Sequence, residues 1–559
     1  MKSKKLLATA ALSTLVGGPL FGRAPEEVFF DATESTGLDF LHDNGATGEL
    51  YTPEIMGPGG ALLDYDRDGD LDVYIVQGHR LGANTRDSVR AVDRLYRNDL
   101  LEADGSTGLR LVDVTASARL SATAYGMGVA TGDYDNDGWP DLYLANLGPN
   151  ELRRNNGDGT FTDVTTAVGV DDPRWSVAAT FFDYDDDGWL DLWVVNFVDF
   201  TIDGAKDCLN PAGTIDYCAP AAYNAVTDSL FRNRGDGTFE NVSTRAGIDR
   251  HARSGLGVVA ADFDGDGRMD LYVANDGMPN QLYFNNGDGT FRDEAVLAGS
   301  SVNSEGASEA SMGTVAADFD NDGDQDIFLT HLTKETNTLY ANDGSGFFTD
   351  RSEAALLGTP SWQYTGFGAG ALDFDSDGLL DLLVVNGTVS FYANDSRDTL
   401  EQADQLFRNL GSNRFELIED RALAVEAVSR GSLLGDLDND GDTDAIILNN
   451  DDRARLLLNR AGDAKQWLGL RLMGGEGRWD ALGTTGELKI DDRSSLWRRV
   501  HTDGGYASAG DSRVLFGLGE PEAPRSGSVV VRWPNGRPTL LEKPPRGRYL
   551  ELAEPGSVP

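Results

Sequence analysis

One nine-residue pattern, Asp-x-Asp-x-Asp-Gly-x-x-Asp, occurs seven times, beginning at Asp64, Asp133, Asp183, Asp262, Asp318, Asp373 and Asp436. Positions three and five of these loops are Asp66 and Asp68, Asp135 and Asp137, Asp185 and Asp187, Asp264 and Asp266, Asp320 and Asp322, Asp375 and Asp377, and Asp438 and Asp440. Glycine at position six permits a sharp bend, which curls the first three carboxylates round one point. Position nine is Asp72, Asp141, Asp191, Asp270, Asp326, Asp381 and Asp444; beyond the bend, it can reach back with both oxygens. Position seven varies (Asp70, Trp139, Trp189, Arg268, Asp324, Leu379, Asp442), as expected of a residue offering only its backbone carbonyl. Six to eight oxygens at about 2.4 Å are what Ca2+ takes. Four carboxylates at this spacing repel strongly unless a cation lies between them. The pattern predicts up to seven Ca2+ ions, one per repeat. Mg2+ demands a stricter octahedron, and Zn2+ prefers thiolate and imidazole, which the loops lack.

The elements that position these loops repeat as well. A small-residue run precedes each loop, as in Gly126 to Gly132, and a strand-like run follows, as in Leu271-Tyr272-Val273-Ala274-Asn275. Then comes a hairpin such as Leu230 to Phe239, whose Asp-Gly turn between apolar runs is a strand-pairing signal. A fourth strand closes the unit, as in Phe161-Thr162-Asp163-Val164-Thr165. Four short strands per repeat read as one propeller blade. The fourth-strand motif also has seven copies, centred on Asp31, Asp113, Asp163, Asn241, Asp293, Asp350 and Phe415 to Glu419. The first copy precedes the first loop, and the last loop has none after it. The expectation is an all-β fold: a seven-bladed β-propeller over residues 25–462, closed by the N-terminal strand. A small β-module over 463–553 and a tail at 554–559 follow. The sixth and seventh hairpins, at Asn394 and at Asn409-Leu410-Gly411-Ser412, depart from the pattern.

The chain carries 92 Asp+Glu against 47 Lys+Arg, a formal charge of −45, which argues against nucleic acid and anionic membranes as partners. Seven divalent ions would offset about a third of that charge, so a generally acidic surface remains. Hydrophobic residues make up 40%, enough to fold, so the acidity does not signal disorder. Lys2, Lys4 and Lys5 followed by an apolar run from Leu6 to Val16 have the form of a secretory leader, ending near Ala24. That run is short for a membrane span. The two cysteines, Cys208 and Cys218, lie in an insertion at about 199–226; in an exported chain a local disulfide is the natural reading. Two free thiols or a partial metal site are the alternatives.

These residues resemble FG-GAP or VCBS-type repeats, the calcium-loop blades of integrin α-subunit heads. The motif order is similar to the cartilage acidic protein family, through Met56-Gly57-Pro58-Gly59-Gly60-Ala61 and the cysteine-bearing insertion before Leu230-Phe231-Arg232-Asn233. The C-terminal module resembles its ASPIC/UnbV domain, through Gly469-Leu470-Arg471-Leu472, Asp480-Ala481-Leu482-Gly483, Gly504-Gly505-Tyr506 and Val531 to Gly536. The resemblance implies an extracellular calcium-binding protein with an adhesive or matrix role, meeting a protein or a glycan. A lectin using Trp189 or Trp193, and a polysaccharide-active enzyme, are the alternative readings. The five histidines form no zinc-protease pair and no Gly-x-Ser-x-Gly elbow occurs, so no enzymatic activity is expected. Arg234-Gly235-Asp236 occupies a repeated hairpin slot, and the turn accounts for it.

Overall fold

The computed structural model describes residues 27–82, 91–100, 108–210, 213–389, 400–475, 481–490, 494–522, 525 and 527–556. The expected leader lies outside these residues, as do Asn394 and Asp480. The described chain is built almost wholly from short antiparallel strands. Seven four-stranded sheets follow one another from Gly60 to Asn459. The first is Gly60–Leu63, Asp72–Ile75, Arg94–Asn98 and Leu111–Asp113; the third, typical of the longer ones, is Ser176–Phe182, Asp191–Asn196, Ser229–Asn233 and Phe239–Asn241.

The seventh sheet takes three strands from the end of this series, Ser429–Gly435, Asp444–Asn449 and Arg455–Asn459. Its fourth is Phe29–Asp31, paired so that Phe29 faces Asn459 and Asp31 faces Leu457. The N-terminal segment thus covers an edge that would otherwise be open. In the sixth sheet the hairpin falls at Asn409 to Phe415, between strands Gln405–Asn409 and Phe415–Ile418.

The innermost strands of consecutive sheets neighbour one another, and Gly60–Leu63 of the first neighbours Ser429–Gly435 of the seventh. Small residues permit this approach: a Cβ on Gly128 would meet the Val177 carbonyl at 2.2 Å. The apolar cores lie between sheets. One joins the third and fourth through Trp193, Leu230, Val258 and Tyr283. Another joins the seventh to the first through Leu433, Ile446, Leu62 and Val73. Trp193 is fully buried there, its Nε1 donating to Asp228 at 3.2 Å, so it is a packing residue.

The C-terminal module has its own core, around Leu470, Phe516 and Val531, between a three-stranded and a four-stranded sheet. In the first, Tyr549–Ala553 runs parallel to Gln466–Met473. From this module a segment at 503–511 enters the middle of the seven sheets. Gly505 exchanges backbone hydrogen bonds with Thr314 at 2.8 and 2.9 Å. Leu62 donates to the Ala509 carbonyl at 3.0 Å, and Val129 to that of Ala507 at 3.2 Å. Tyr506 is wholly buried against Phe367, ring centroids 5.0 Å apart, in a cluster with Met127, Val177, Leu256 and Met312.

Candidate metal centres

Each acidic loop links the inner strand of its sheet to the next strand, which begins with the position-nine aspartate. Two left-handed residues turn the chain. Position six is glycine, with φ between 84° and 104°. Position four (Arg67, Asn136, Asp186, Gly265, Asn321, Ser376, Asn439) is left-handed in all seven loops, and mostly of types that tolerate it.

Hydrogen bonds hold the carboxylates in one arrangement. The Oδ2 of position one accepts the position-six glycine N–H in every loop, at 2.8–3.1 Å. The Oδ2 of position nine accepts the amide of position two, at 2.9–3.2 Å. Its Oδ1 accepts the backbone N–H of an asparagine ending the third strand, at 2.7–2.9 Å. Position nine is therefore a fastener of its own sheet, holding the loop's start and the third strand through two amides.

Those asparagines also join one sheet to the next. Asn98, Asn155, Asn233, Asn285, Asn342, Asn409 and Asn459 each donate through Nδ2 to the position-two carbonyl of the preceding sheet's loop, at 2.7–2.9 Å. Asn98 reaches Leu437 and so bridges the first sheet to the seventh. The signal in the sequence is asparagine recurring at the end of every third strand.

What remains suits a hard cation. In each of the first four loops, one oxygen apiece from positions one, three and nine lies within 4.8 Å of the others; in the fifth, positions one, three and five do so. The Oδ1 atoms of Asp66, Asp135, Asp185, Asp320, Asp375 and Asp438 are buried without a hydrogen-bond partner. Buried carboxylate oxygens are otherwise paired. Burial pushes Asp183, Asp318, Asp373 and Asp436 up to about 7, and neighbouring aspartates push the same way. Asp191 is pushed up to about 9 and Asp270 to about 8. An all-oxygen set of this charge fits Ca2+.

The position-seven side chains vary as expected, and two of them, Trp139 and Trp189, pack on the hairpin of their own sheet. A Cβ on Gly157 or Gly235 would collide with the indoles of Trp139 and Trp189. Gly235 belongs to Arg234-Gly235-Asp236, where Asp236 accepts from Thr238 in the turn. The C-terminal module lies on the loops themselves. Arg471 reaches Asp64 at 3.1 Å, Arg498 reaches Asp373 at 3.6 Å, and the Tyr549 hydroxyl donates to Asp436 at 2.9 Å. Over the second and third loops it leaves a cavity of about 590 Å³, lined by Asn136, Asp183, Asp186, Trp189, Pro534 and Asn535. The insertion holds the Cys208–Cys218 disulfide and packs through Phe200 on Tyr51 and Trp175. No helix among the described residues is long and apolar enough to cross a membrane.

With this architecture in view, the likeness to known proteins is specific. The FG-GAP-like repeat family matches residues 64–144, 133–194, 199–273, 262–329, 318–384 and 373–447, and the ASPIC and UnbV family matches 474–559. The chain belongs to the FG-GAP-like repeat family and carries an ASPIC and UnbV domain at its C-terminal end. It is similar to cartilage acidic protein 1: 33% identical to that of Homo sapiens over 168 residues, and 30% to that of Xenopus tropicalis over 167. Each match covers 28% of this chain and 24% or 25% of the relative, so the chain spans about a quarter of the length of these curated relatives. Among solved structures, an Agrocybe aegerita lectin recognising terminal N-acetylglucosamine is similar at 15% identity and TM-score 0.39, covering 71% of this chain and 86% of its own. A Bacillus licheniformis rhamnogalacturonan lyase is similar at 13% and 0.32, covering 89% and 90%. Likenesses this remote carry no chemistry across.

Proposed function

We propose that the chain is a secreted, calcium-binding β-propeller of seven blades that serves as an extracellular interaction or adhesion module, meeting a protein or glycan. In this reading residues 1–24 are a leader and 25–462 form the ring, with the insertion at about 199–226. Residues 463–553 form a module seated on the loop face, and 554–559 a tail. The cyclic neighbourhood of the inner strands, the Phe29–Asp31 edge and the Asn98 bridge support a closed ring. The disulfide supports an oxidising compartment.

The observation that carries calcium is the set of buried position-three oxygens without partners, each beside further aspartates. One Ca2+ per loop, held by positions one, three, five and nine and the position-seven carbonyl, would satisfy them and stiffen the ring. Because the C-terminal module sits on the loops, partner contact falls to the opposite face and the outer strands. Calcium binding measured by calorimetry on the chelated chain tests the metal; absence of heat would end the calcium reading. Capture of partners from the cell exterior tests the module role, which requires capture that calcium strengthens and chelator abolishes.

A further inference from the structure

The seven loops share one scaffold but not one complement of charge, and the seventh stands apart. Its position-seven residue, Asp442, is 2% exposed, and neither of its carboxylate oxygens has a hydrogen-bond partner. It packs over Gly462, whose missing side chain makes room for it. Its electrostatic neighbours are Asp444, Asp440, Asp436 and Asp438. The Asp442 backbone amide donates to Asp440 Oδ1 at 3.1 Å. Asp442 is therefore shut off from water, held between Gly462 and the other aspartates of its loop.

Elsewhere the same position is accounted for. Trp139, Trp189 and Leu379 offer no carboxylate. Arg268 brings a cation of its own, paired with Asp266. Asp70 spends its oxygens on Asn439 Nδ2 at 2.8 Å and the Leu100 amide at 3.3 Å. Asp324 keeps one buried oxygen without a partner but is only part-buried. Arginines also stand on the loop carboxylates of other repeats: Arg471 on Asp64 at 3.1 Å, Arg232 on Asp185 at 2.6 Å, Arg292 on Asp264 at 3.6 Å, and Arg408 on Asp375 at 3.1 Å. Among the described ion pairs none falls on Asp135, Asp137 or Asp141 of the second loop or on the aspartates of the fifth or seventh, and of these three loops only the seventh has a fully buried position-seven carboxylate. Arg513 is paired with Asp511 at 2.9 Å and donates to the Asp436 carbonyl and the Asn439 amide oxygen; its charge is felt by the Asp436 carboxylate, but it forms no ion pair with the loop.

A buried carboxylate with both oxygens bare requires a partner. We infer that the Asp442 side chain is a direct ligand of the seventh loop's cation, so that this loop holds its ion with five carboxylates and fills before the other six. Affinity for Ca2+ rises with the number of charged ligands and with site rigidity. A resident guanidinium, by contrast, competes with the ion for its ligands. The C-terminal module adds a lid, with Trp467 packed against Gly441 and Tyr549 hydrogen-bonded to Asp436 at 2.9 Å. This inference rests on the calcium reading above, and its test separates the two.

The full chain is stripped with chelator and titrated with Ca2+ by calorimetry. Asp442→Asn, which keeps the volume, weakens the tightest step tenfold or more and leaves the weaker steps in place. A terbium titration decides the matter even if that variant folds poorly. Trp467 is placed to sensitise an ion in the seventh loop, so Trp467→Phe loses emission from the first equivalent added. An unchanged tightest step in Asp442→Asn, or emission lost from Trp467→Phe only at later equivalents, overturns the assignment. A wild-type chain that binds neither ion overturns the calcium reading itself.

Discussion

The third and seventh loops are built on the same frame and surrounded differently. In both, position one holds the glycine amide, and position nine holds the amide of position two and that of the third-strand asparagine. Around the third loop, Arg232 lies 2.6 Å from Asp185 and 3.0 Å from Asp187, and the loop borders a cavity of about 590 Å³. Around the seventh, Asp442 takes the place of Trp189, Leu458 stands where Arg232 stands, and the C-terminal module closes over the top. The comparison teaches that backbone satisfaction is common to every repeat, whereas counter-charge is assigned loop by loop.

Removing the cation should erase what the two loops share. Without it, burial raises Asp191 of the third loop to about 9 and Asp436 of the seventh to about 7, against about 4 in the unfolded chain. Between those limits the folded chain binds more protons than the unfolded one, so its stability falls as pH rises. In chelator the melting temperature should fall as pH rises above about 4 and be lower by about 10 °C or more at pH 8. Saturating Ca2+ favours the charged carboxylates and should remove that slope. A chelated profile that is flat or rises with pH would contradict the electrostatics of both loops.

Next in size is the shared frame. Asp191→Ala and Asp444→Ala each strip a buried carboxylate from two amides and should cost about 3–5 kcal/mol in denaturant melts. A small loss at either position would show that its frame is not essential. The third sheet alone carries the stapled insertion. Changing Cys208 and Cys218 to serine should cost about 3 kcal/mol by chain entropy, with no effect on metal stoichiometry.

The seam between the first and seventh sheets allows a sharper comparison. Asn98→Ala and Asn233→Ala should each cost about 1–3 kcal/mol, because each leaves buried groups unpaired. A silent Asn98→Ala beside a costly Asn233→Ala would mean that the ring is not fastened at its ends. The smallest effect is expected of Arg232→Gln. Its part-exposed pair contributes well under about 1 kcal/mol to stability. Its loss should nevertheless tighten Ca2+ binding at the third loop several-fold in calorimetry, bringing that loop closer to the seventh.

The repeat, its four strands and the N-terminal edge strand were legible because period and alternation are local. Phe29-Phe30-Asp31 reads like Phe161-Thr162-Asp163, and it pairs like it. The left-handed position four was legible in principle, since Asn136, Asn321 and Asn439 mark it. Glycine at position six accounts for the bend by itself, so the second left-handed residue becomes evident only once the backbone angles are known. The asparagines were visible as a recurrence, but their partners lie some 80 to 340 residues away in the chain. A spacing pattern within one repeat contains no trace of such contacts.

The amino-acid sequence by itself determined the all-β repeat, the place of every acidic loop and the cysteine pair that forms the disulfide. These follow from residue type and short-range order, which set turns, strand faces and clusters of charge. Only the tertiary structure decided that Tyr506 fills the middle of the sheets, that Arg471 and Tyr549 reach into particular loops, and that Asp442 is buried without a partner. Burial and counter-charge are sums over neighbours brought together by folding, and seven nearly identical loops acquire seven different surroundings.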